Sequence, residues 1–249
     1  IINMESLFYK CSSLTNLDLS KFETSKVEQM EYMFYSCNKL KSLDLSNFIT
    51  SKVKNMKAMF CYCSSLESLY LTKFNTGLVN NIDYMFKGCN KLNTLDISMF
   101  NTNAVTSMIE VFKDCKELKE LKMNIDTFIT SGVNNMKGMF SGCSNLINLD
   151  IKKFNTDLVE DMSYMFYLCG KIKTLDVSQF NTDQVTNIEY MFYNCNSITH
   201  LNLENLDTKN MQDMNNMFYN CSSLISLELS TKFDTSQVTN MEYMFHGCS

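Results

Sequence analysis

Apolar positions recur along this chain in a fixed order. Between Ser25 and Thr50, Val27, Met30, Met33, Phe34, Cys37 and Leu40 are spaced 3, 3, 1, 3 and 3. That spacing lines one stripe of a helix. The residue two positions ahead of the valine position is Ser25, Ser51, Gly77, Asn103, Ser131, Asp157, Asp183, Lys209 or Ser236. All but Lys209 are favoured N-caps, and Ser25 with Glu28 forms a capping box. The pattern therefore predicts a helix of about three turns in every repeat, ending just after the cysteine. The next segment alternates instead, as in Leu43-Asp44-Leu45-Ser46, Leu95-Asp96-Ile97-Ser98 and Leu175-Asp176-Val177-Ser178. Alternation over so few residues predicts a short strand with one wet face. A loop with a recurrent Phe-x-Thr (Phe22 and Thr24, Phe48 and Thr50, Phe180 and Thr182) leads back to the next stripe.

The unit repeats from end to end. Phe8, Phe34, Phe60, Phe86, Phe112, Phe140, Phe166, Phe192, Phe218 and Phe245 are separated by 26, 26, 26, 26, 28, 26, 26, 26 and 27 residues, and a cysteine follows three residues after each. A fixed period of this size specifies a solenoid, whose units bury their apolar faces only against their neighbours. The predicted fold is an α/β repeat solenoid, leucine-rich-repeat-like, of about nine to ten repeats. Short parallel strands stack ~4.8 Å apart on one face and short helices on the other. The bulkier helix side would leave the strands on the concave side. Both length irregularities fall in the loop, at Asn124-Ile125-Asp126-Thr127 and Ser230-Thr231-Lys232, where insertions leave the register intact. Residues 1–249 read as one continuous array, uncapped at both ends: Ile1 to Phe8 aligns with Val238 to Phe245. That implies a stretch of a longer array, or copies stacked end to end into a filament.

Composition adds exclusions. An apolar fraction of 45% argues against disorder, and the net charge of −5 argues against a nucleic-acid partner. No apolar run is long enough to cross a bilayer. His200 and His246 are isolated, the chain has only 7 glycines and no phosphate-cradling loop, and no nucleophile stands beside a base. The chain reads as non-enzymatic, with no catalytic residue, cofactor or metal site assigned.

Three rows of residues carry candidate chemistry. Eleven cysteines, ten on the beat plus Cys61, have no Cys-x-x-Cys spacing. Stacked copies would hold their Cβ atoms ~4.8 Å apart, whereas a disulfide wants ~3.8 Å. They read as buried thiols acting as small hydrophobes, with Cys61 the one site open to a bridge. The second row lies between the strand leucines: Asp18, Asp44, Tyr70, Asp96, Lys122, Asp150, Asp176, Asn202 and Glu228. Carboxylates ~5 Å apart in water repel by about 1 kcal/mol. Solubility with hydroxyl partners from Ser46, Ser98 and Ser178, a partner-binding sheet face, and a cation such as Ca²⁺ each account for the row. The third row is tyrosine: Tyr32, Tyr84, Tyr164, Tyr190 and Tyr243 before the Met-Phe pair, Tyr9, Tyr35, Tyr167, Tyr193 and Tyr219 after it. Half-exposed rings there either shield the core rim or grip a glycan or protein. The glycosylation pattern Asn220-Cys221-Ser222 overlaps the buried cysteine beat.

The motif Asn-Met-x-x-Met-Phe-x-x-Cys followed by Leu-x-x-Leu-Asp-Leu-Ser-x-Phe-x-Thr closely resembles the BspA-like group of leucine-rich repeats. It is most similar to the subtype seen in mycoplasma surface lipoproteins. Thr24 to Leu45 and Asp183 to Leu203 show it well; Val111, Leu206 and Lys209 depart from it. The resemblance implies a cell-surface or extracellular setting and an adhesive or structural role, and it carries no catalytic residue. The implied partners are further repeats or copies end to end, with a host or matrix protein or a glycan as further candidates.

Overall fold

Leu43, Leu69, Leu95 and Leu201 sit at the centres of short strands because their side chains turn inward while both neighbours face out. In the computed structural model, which describes residues 1–248, six such strands are regular: β1 (Ser42–Asp44), β2 (Ser68–Tyr70), β3 (Thr94–Asp96), β4 (Glu120–Lys122), β5 (His200–Leu203) and β6 (Ser226–Leu229). They pair in parallel as β1 with β2, β3 with β4 and β5 with β6, and each register is one repeat long, as in Leu43 with Leu69 and Leu201 with Leu227. Single bridges at Asn3, Gln29, Asn55 and Asn81, and again from Ser107 to Asn240, tie the repeats along a second line. The expected parallel stacking is present, but not a strand in every repeat. Among the described residues the segments around Asp18 and Asp150 form no strand, and the one at Asp176 keeps only a single bridge, Thr174 with His200.

The helices are not. The described residues contain no α-helix, and the reason lies in where alternate N–H groups go. Met33, Tyr35 and Cys37 donate to the carbonyls three residues back, of Met30, Tyr32 and Phe34. The residues between them reach into the next repeat: Met30 N–H to Asn55 O at 3.0 Å, Tyr32 to Lys57 O at 2.9 Å, Phe34 to Met59 O at 2.9 Å and Ser36 to Cys61 O at 2.7 Å. A helix would send all of them to the carbonyl four back. Two of these turns, Met30 to Met33 and Phe34 to Cys37, carry a left-handed residue at the third position, Tyr32 (φ 56°) and Ser36 (φ 57°), as a type II turn requires. The same two positions, four apart, recur as Tyr84 with Gly88, Gly138 with Gly142, Tyr190 with Asn194 and Asn216 with Asn220.

Spacing explains the choice. A helix with its side chains is ~10–12 Å wide, but stacked strands are only ~4.8 Å apart. The ten beat phenylalanines stack nearly parallel at centroid separations of 5.3 to 5.9 Å, which leaves no room for helices side by side. Both sides of the solenoid thus carry hydrogen bonds between repeats, and the concave strand side expected from bulky helices loses its basis. The expected caps are corrected with the helices. Val27 N–H closes a turn on Thr24 O at 2.9 Å, and Glu28 pairs with Lys54 of the next repeat at 2.7 Å instead of capping.

Two buried polar rows complete the packing. The threonine of each Phe-x-Thr bonds the backbone of the following loop: Thr50 Oγ1 donates to Asn75 O at 2.9 Å and accepts Asn75 N–H at 2.8 Å, and Thr76, Thr182 and Thr208 do the same one or more repeats on. The beat cysteines are free thiols, as expected, and so is Cys61. They are donors as well as small hydrophobes, which spacing could not reveal. Cys63 Sγ lies 3.1 Å from Phe34 O, Cys115 Sγ 3.2 Å from Phe86 O and Cys195 Sγ 3.1 Å from Phe166 O, one repeat back each time. Burial pushes the Cys37 thiol up to about 11 and the Cys61 and Cys221 thiols up to about 12. At pH 8 the thiolate fraction at Cys37 is then only about one in a thousand. Iodoacetamide at pH 8 should label half-buried Cys11 and Cys248 of the folded protein and spare Cys37 to Cys221, as read by peptide mass spectrometry. Full labelling of Cys115 without unfolding would contradict this packing.

Candidate functional site

The strand row lies where it was expected. Asp18, Asp44, Tyr70, Asp96, Lys122, Asp150, Asp176 and Glu228 are exposed and Asn202 is half-buried. Strand pairing sets Asp44 beside Tyr70, Asp96 beside Lys122 and Asn202 beside Glu228. The carboxylates, however, are engaged with their own chain. Asp18, Asp44, Asp96 and Asp176 each accept the N–H two residues on, from Ser20, Ser46, Ser98 and Ser178, at 2.9 to 3.1 Å. Ser98 and Ser178 add their hydroxyls at 2.7 and 2.6 Å. Asn202 makes the same contact with Glu204 N–H at 2.8 Å, so the turn needs an acceptor and not a charge. These hydrogen bonds from the serines hold the Asp44, Asp96 and Asp176 carboxyls below the usual range. The hydroxyl-partner account of the row is the one the geometry favours. Among the described residues no group of three or more His, Cys, Asp or Glu side chains is placed to hold a metal ion.

Exposed apolar side chains on this side include the first interruption of the row, Tyr70, and nearby Met99. Tyr70 is 51% and Met99 61% exposed, and both line a shallow hollow with Ser68, Thr72, Asp96 and Ser98. A second hollow runs along the strand line between Asp150 and Glu228, past Asp176, His200 and Asn202.

On the opposite side the tyrosines form continuous columns. Tyr167, Tyr193, Tyr219 and His246 stack at 4.7 to 4.9 Å, and Tyr164 stacks on Tyr190 at 4.8 Å. Tyr9 with Tyr35 repeats the arrangement near the other end at 4.9 Å. Most of these rings are half-buried, while Tyr9 and Tyr243 are more exposed. Burial and then the neighbouring Glu189 push the Tyr164 hydroxyl up to about 12. The tyrosine positions were legible in the sequence; that the rings face one another was not, because it follows from the turn geometry. Between the two aromatic stretches Lys87 and Lys113 pair with Glu110, all three at least half-buried. This buried ion cluster escaped sequence reading because its members sit at tyrosine positions of other repeats.

Neither histidine is arranged for catalysis. His200 Nδ1 lies 3.0 Å from Thr199 Oγ1, and His246 ends the tyrosine column. Asn220 of the glycosylation pattern is left-handed at φ 54° and donates to Asn194 Oδ1 at 2.6 Å.

No curated protein matches the chain. Solved structures that it is similar to include a leucine-rich repeat protein from Bacteroides ovatus (18% identity, TM-score 0.49, covering 100% of this chain and 68% of that one). A leucine-rich repeat protein from Leptospira interrogans is 13% identical, with a TM-score of 0.40 over 93% of this chain and 61% of that one. A leucine-rich cell surface protein from Faecalibacterium prausnitzii is 17% identical, with a TM-score of 0.35 over 86% and 79%. A protein family described as "Mycoplasma protein of unknown function, DUF285" matches residues 1–69, 34–122, 116–229 and 197–249. These overlapping matches cover the whole chain, and they agree with the BspA-like repeat motif and its mycoplasma subtype; the chain belongs to this family.

Proposed function

We propose that this protein is a non-enzymatic extracellular structural or adhesive repeat protein, a stiff rod that acts through its long faces. The observation that carries this reading is the closure of hydrogen bonds between repeats on every side. The strand pairs, the Asn-Met bridges, the left-handed turns and the Thr rungs each bind one repeat to the next. A solenoid tied together around its circumference resists bending and offers two long surfaces in place of a cleft. At ~4.8 Å per repeat, ten repeats make a rod of about 45 Å. Further repeats or further copies would join through the same ladder, which is how a longer rod or filament is built. The surface setting is supported by the resemblance to surface lipoprotein repeats.

Electron microscopy of the protein in its native preparation tests this. Extended rods or continuous fibres, with an axial step of about one array, are the expected result. Short separate particles would sink the filament and favour a second reading, recognition of a protein or glycan through the strand face. The hollow beside Tyr70 and Met99 supports that reading, and the breaks in the row at Tyr70, Lys122 and Asn202 are where it would be tested.

A further inference from the structure

The tyrosines differ along the chain in whether the protein supplies its own cation. Lys10 Nζ lies 5.2 Å from the Tyr9 centroid and lysines also lie over Tyr62, Tyr84 and Tyr164, whereas among the described residues none lies over Tyr32 or Tyr35. Lys57 Nζ is 5.8 Å from the Tyr84 centroid, and Lys87 Nζ is 5.8 Å from Tyr62 and 5.3 Å from Tyr84. Lys137 Nζ is 5.8 Å from Tyr164, at the start of the second stretch. These are cation–π distances. In two of these contacts the lysine comes from the repeat before the tyrosine, and immediately precedes the first left-handed residue of its own turn.

Beyond Tyr164 the lysines stop. The position that would cover Tyr190 is Ser163, and the one that would cover Tyr243 is Asn215. In the repeats of Tyr190 and Tyr243 themselves the same position is acidic, Glu189 and Glu242. The position that Lys87 fills is occupied by Tyr193 and His246. Among the described residues, no lysine lies over Tyr190, Tyr193, Tyr219 or Tyr243. These rings, both glutamates, Asn215 and His246 line one open hollow whose lining contains no lysine or arginine. Glu189 is half-buried and takes Asn215 Nδ2 at 3.2 Å; Glu242 is exposed.

We infer that the aromatic and acidic surface from Tyr164 to His246 binds a lysine- or arginine-rich segment of a partner polypeptide, whose cations take the place that Lys57, Lys87 and Lys137 hold elsewhere in the chain. Charge complementarity selects the occupant. The hollow combines ring electron density with two carboxylates, and Lys137 stands only at its Tyr164 end, so the rest of it favours cations and repels anionic chains. The inference rests on the rod reading only in treating a long face as a contact surface. Microscopy tests the rod and a titration tests the partner, so either can fail alone.

The experiment is a fluorescence-anisotropy titration of the full chain with a labelled deca-lysine peptide at low salt, and separately with labelled oligoglutamate and a labelled neutral oligosaccharide. Saturable binding of deca-lysine that weakens with added salt, with no binding of the other two probes, is expected. Glu189→Gln with Glu242→Gln should weaken it at least tenfold. Asn215→Lys, which returns an internal lysine to the surface, should do likewise. Asp96→Asn with Asp176→Asn on the strand face should leave it unchanged, since Asn202 shows that asparagine keeps the turn. Circular dichroism checks that every variant folds. No saturable binding, equal binding by the Asn215→Lys variant, or loss of binding only in the strand-face variant would each overturn the inference.

Discussion

Phe140→Ala is expected to destabilise the protein by about 3–5 kcal/mol, the range for removing a large buried aromatic side chain. Phe140 is fully buried between Phe112 at 5.4 Å and Phe166 at 5.9 Å, with its ring within 9° of parallel to each. Its carbonyl also accepts Cys143 N–H at 3.1 Å and the Cys169 thiol at 3.2 Å, so a backbone shift to fill the hole would disturb the next repeat. The array gives this substitution a second signature. Each repeat touches only its neighbours, so stability is a sum of repeat and interface contributions. A weakened interface in the middle uncouples the two halves. Urea unfolding followed by circular dichroism should show a broadened or divided transition with a lower slope, along with the loss of stability. A small loss, under about 1.5 kcal/mol, with an unchanged slope would mean that the phenylalanine column is not the spine of the array.

Thr182→Val should cost about 2–4 kcal/mol although it keeps the side-chain volume. The Thr182 hydroxyl donates to Asp207 O and accepts Asp207 N–H, both at 2.8 Å, and both residues are buried. Valine leaves a donor and an acceptor of the same residue without partners, and each costs ~1–3 kcal/mol when water cannot reach it. Thr182→Ser restores both bonds and should recover most of the loss. Chemical denaturation of the two variants side by side checks the point. If valine were neutral, the threonine row would be packing alone and the rungs would add nothing.

The repeat was legible because its signals are those that burial enforces. A 26-residue beat of Met, Phe, Cys and Leu can be read without coordinates, and these residues are the buried ones. Leu43-Asp44-Leu45 announced a strand, and Ser42–Asp44 is one. Much of the strand row was legible too, since Asp44 with Ser46 and Asp176 with Ser178 carry both partners of the turn two residues apart. The hollow between Tyr190 and Tyr243, over whose rings no lysine lies, was not. It depends on which lysine reaches which ring one repeat away, and that distance exists only once the repeats are stacked.

The helix expectation failed for an instructive reason. Val27, Met30, Met33, Phe34, Cys37 and Leu40 suit the inner stripe of a helix, but successive three-residue turns bury the same positions. Hydrophobic period alone cannot separate the two. A clue was present at the two left-handed positions of the repeat: Gly138 and Asn216 occupy the first and Gly88, Gly142, Asn194, Asn220 and Gly247 the second, a conformation Gly and Asn adopt most readily. Tyr32, Ser36 and Tyr84 at equivalent positions concealed it.

By itself, then, the sequence determined the length of the unit, the direction and order of stacking, the residues of the core and the line along which the strands lie, though only six repeats form a regular strand on it. Those follow from which side chains avoid water, a property each residue carries alone. The backbone path between Met30 and Leu40 was decided only by the tertiary structure. An isolated segment must satisfy its own N–H groups and would favour a helix, but one stacked against copies of itself at ~4.8 Å can send every second N–H outward. The neighbouring repeat supplies the acceptors, and it also leaves too little width for a helix to form.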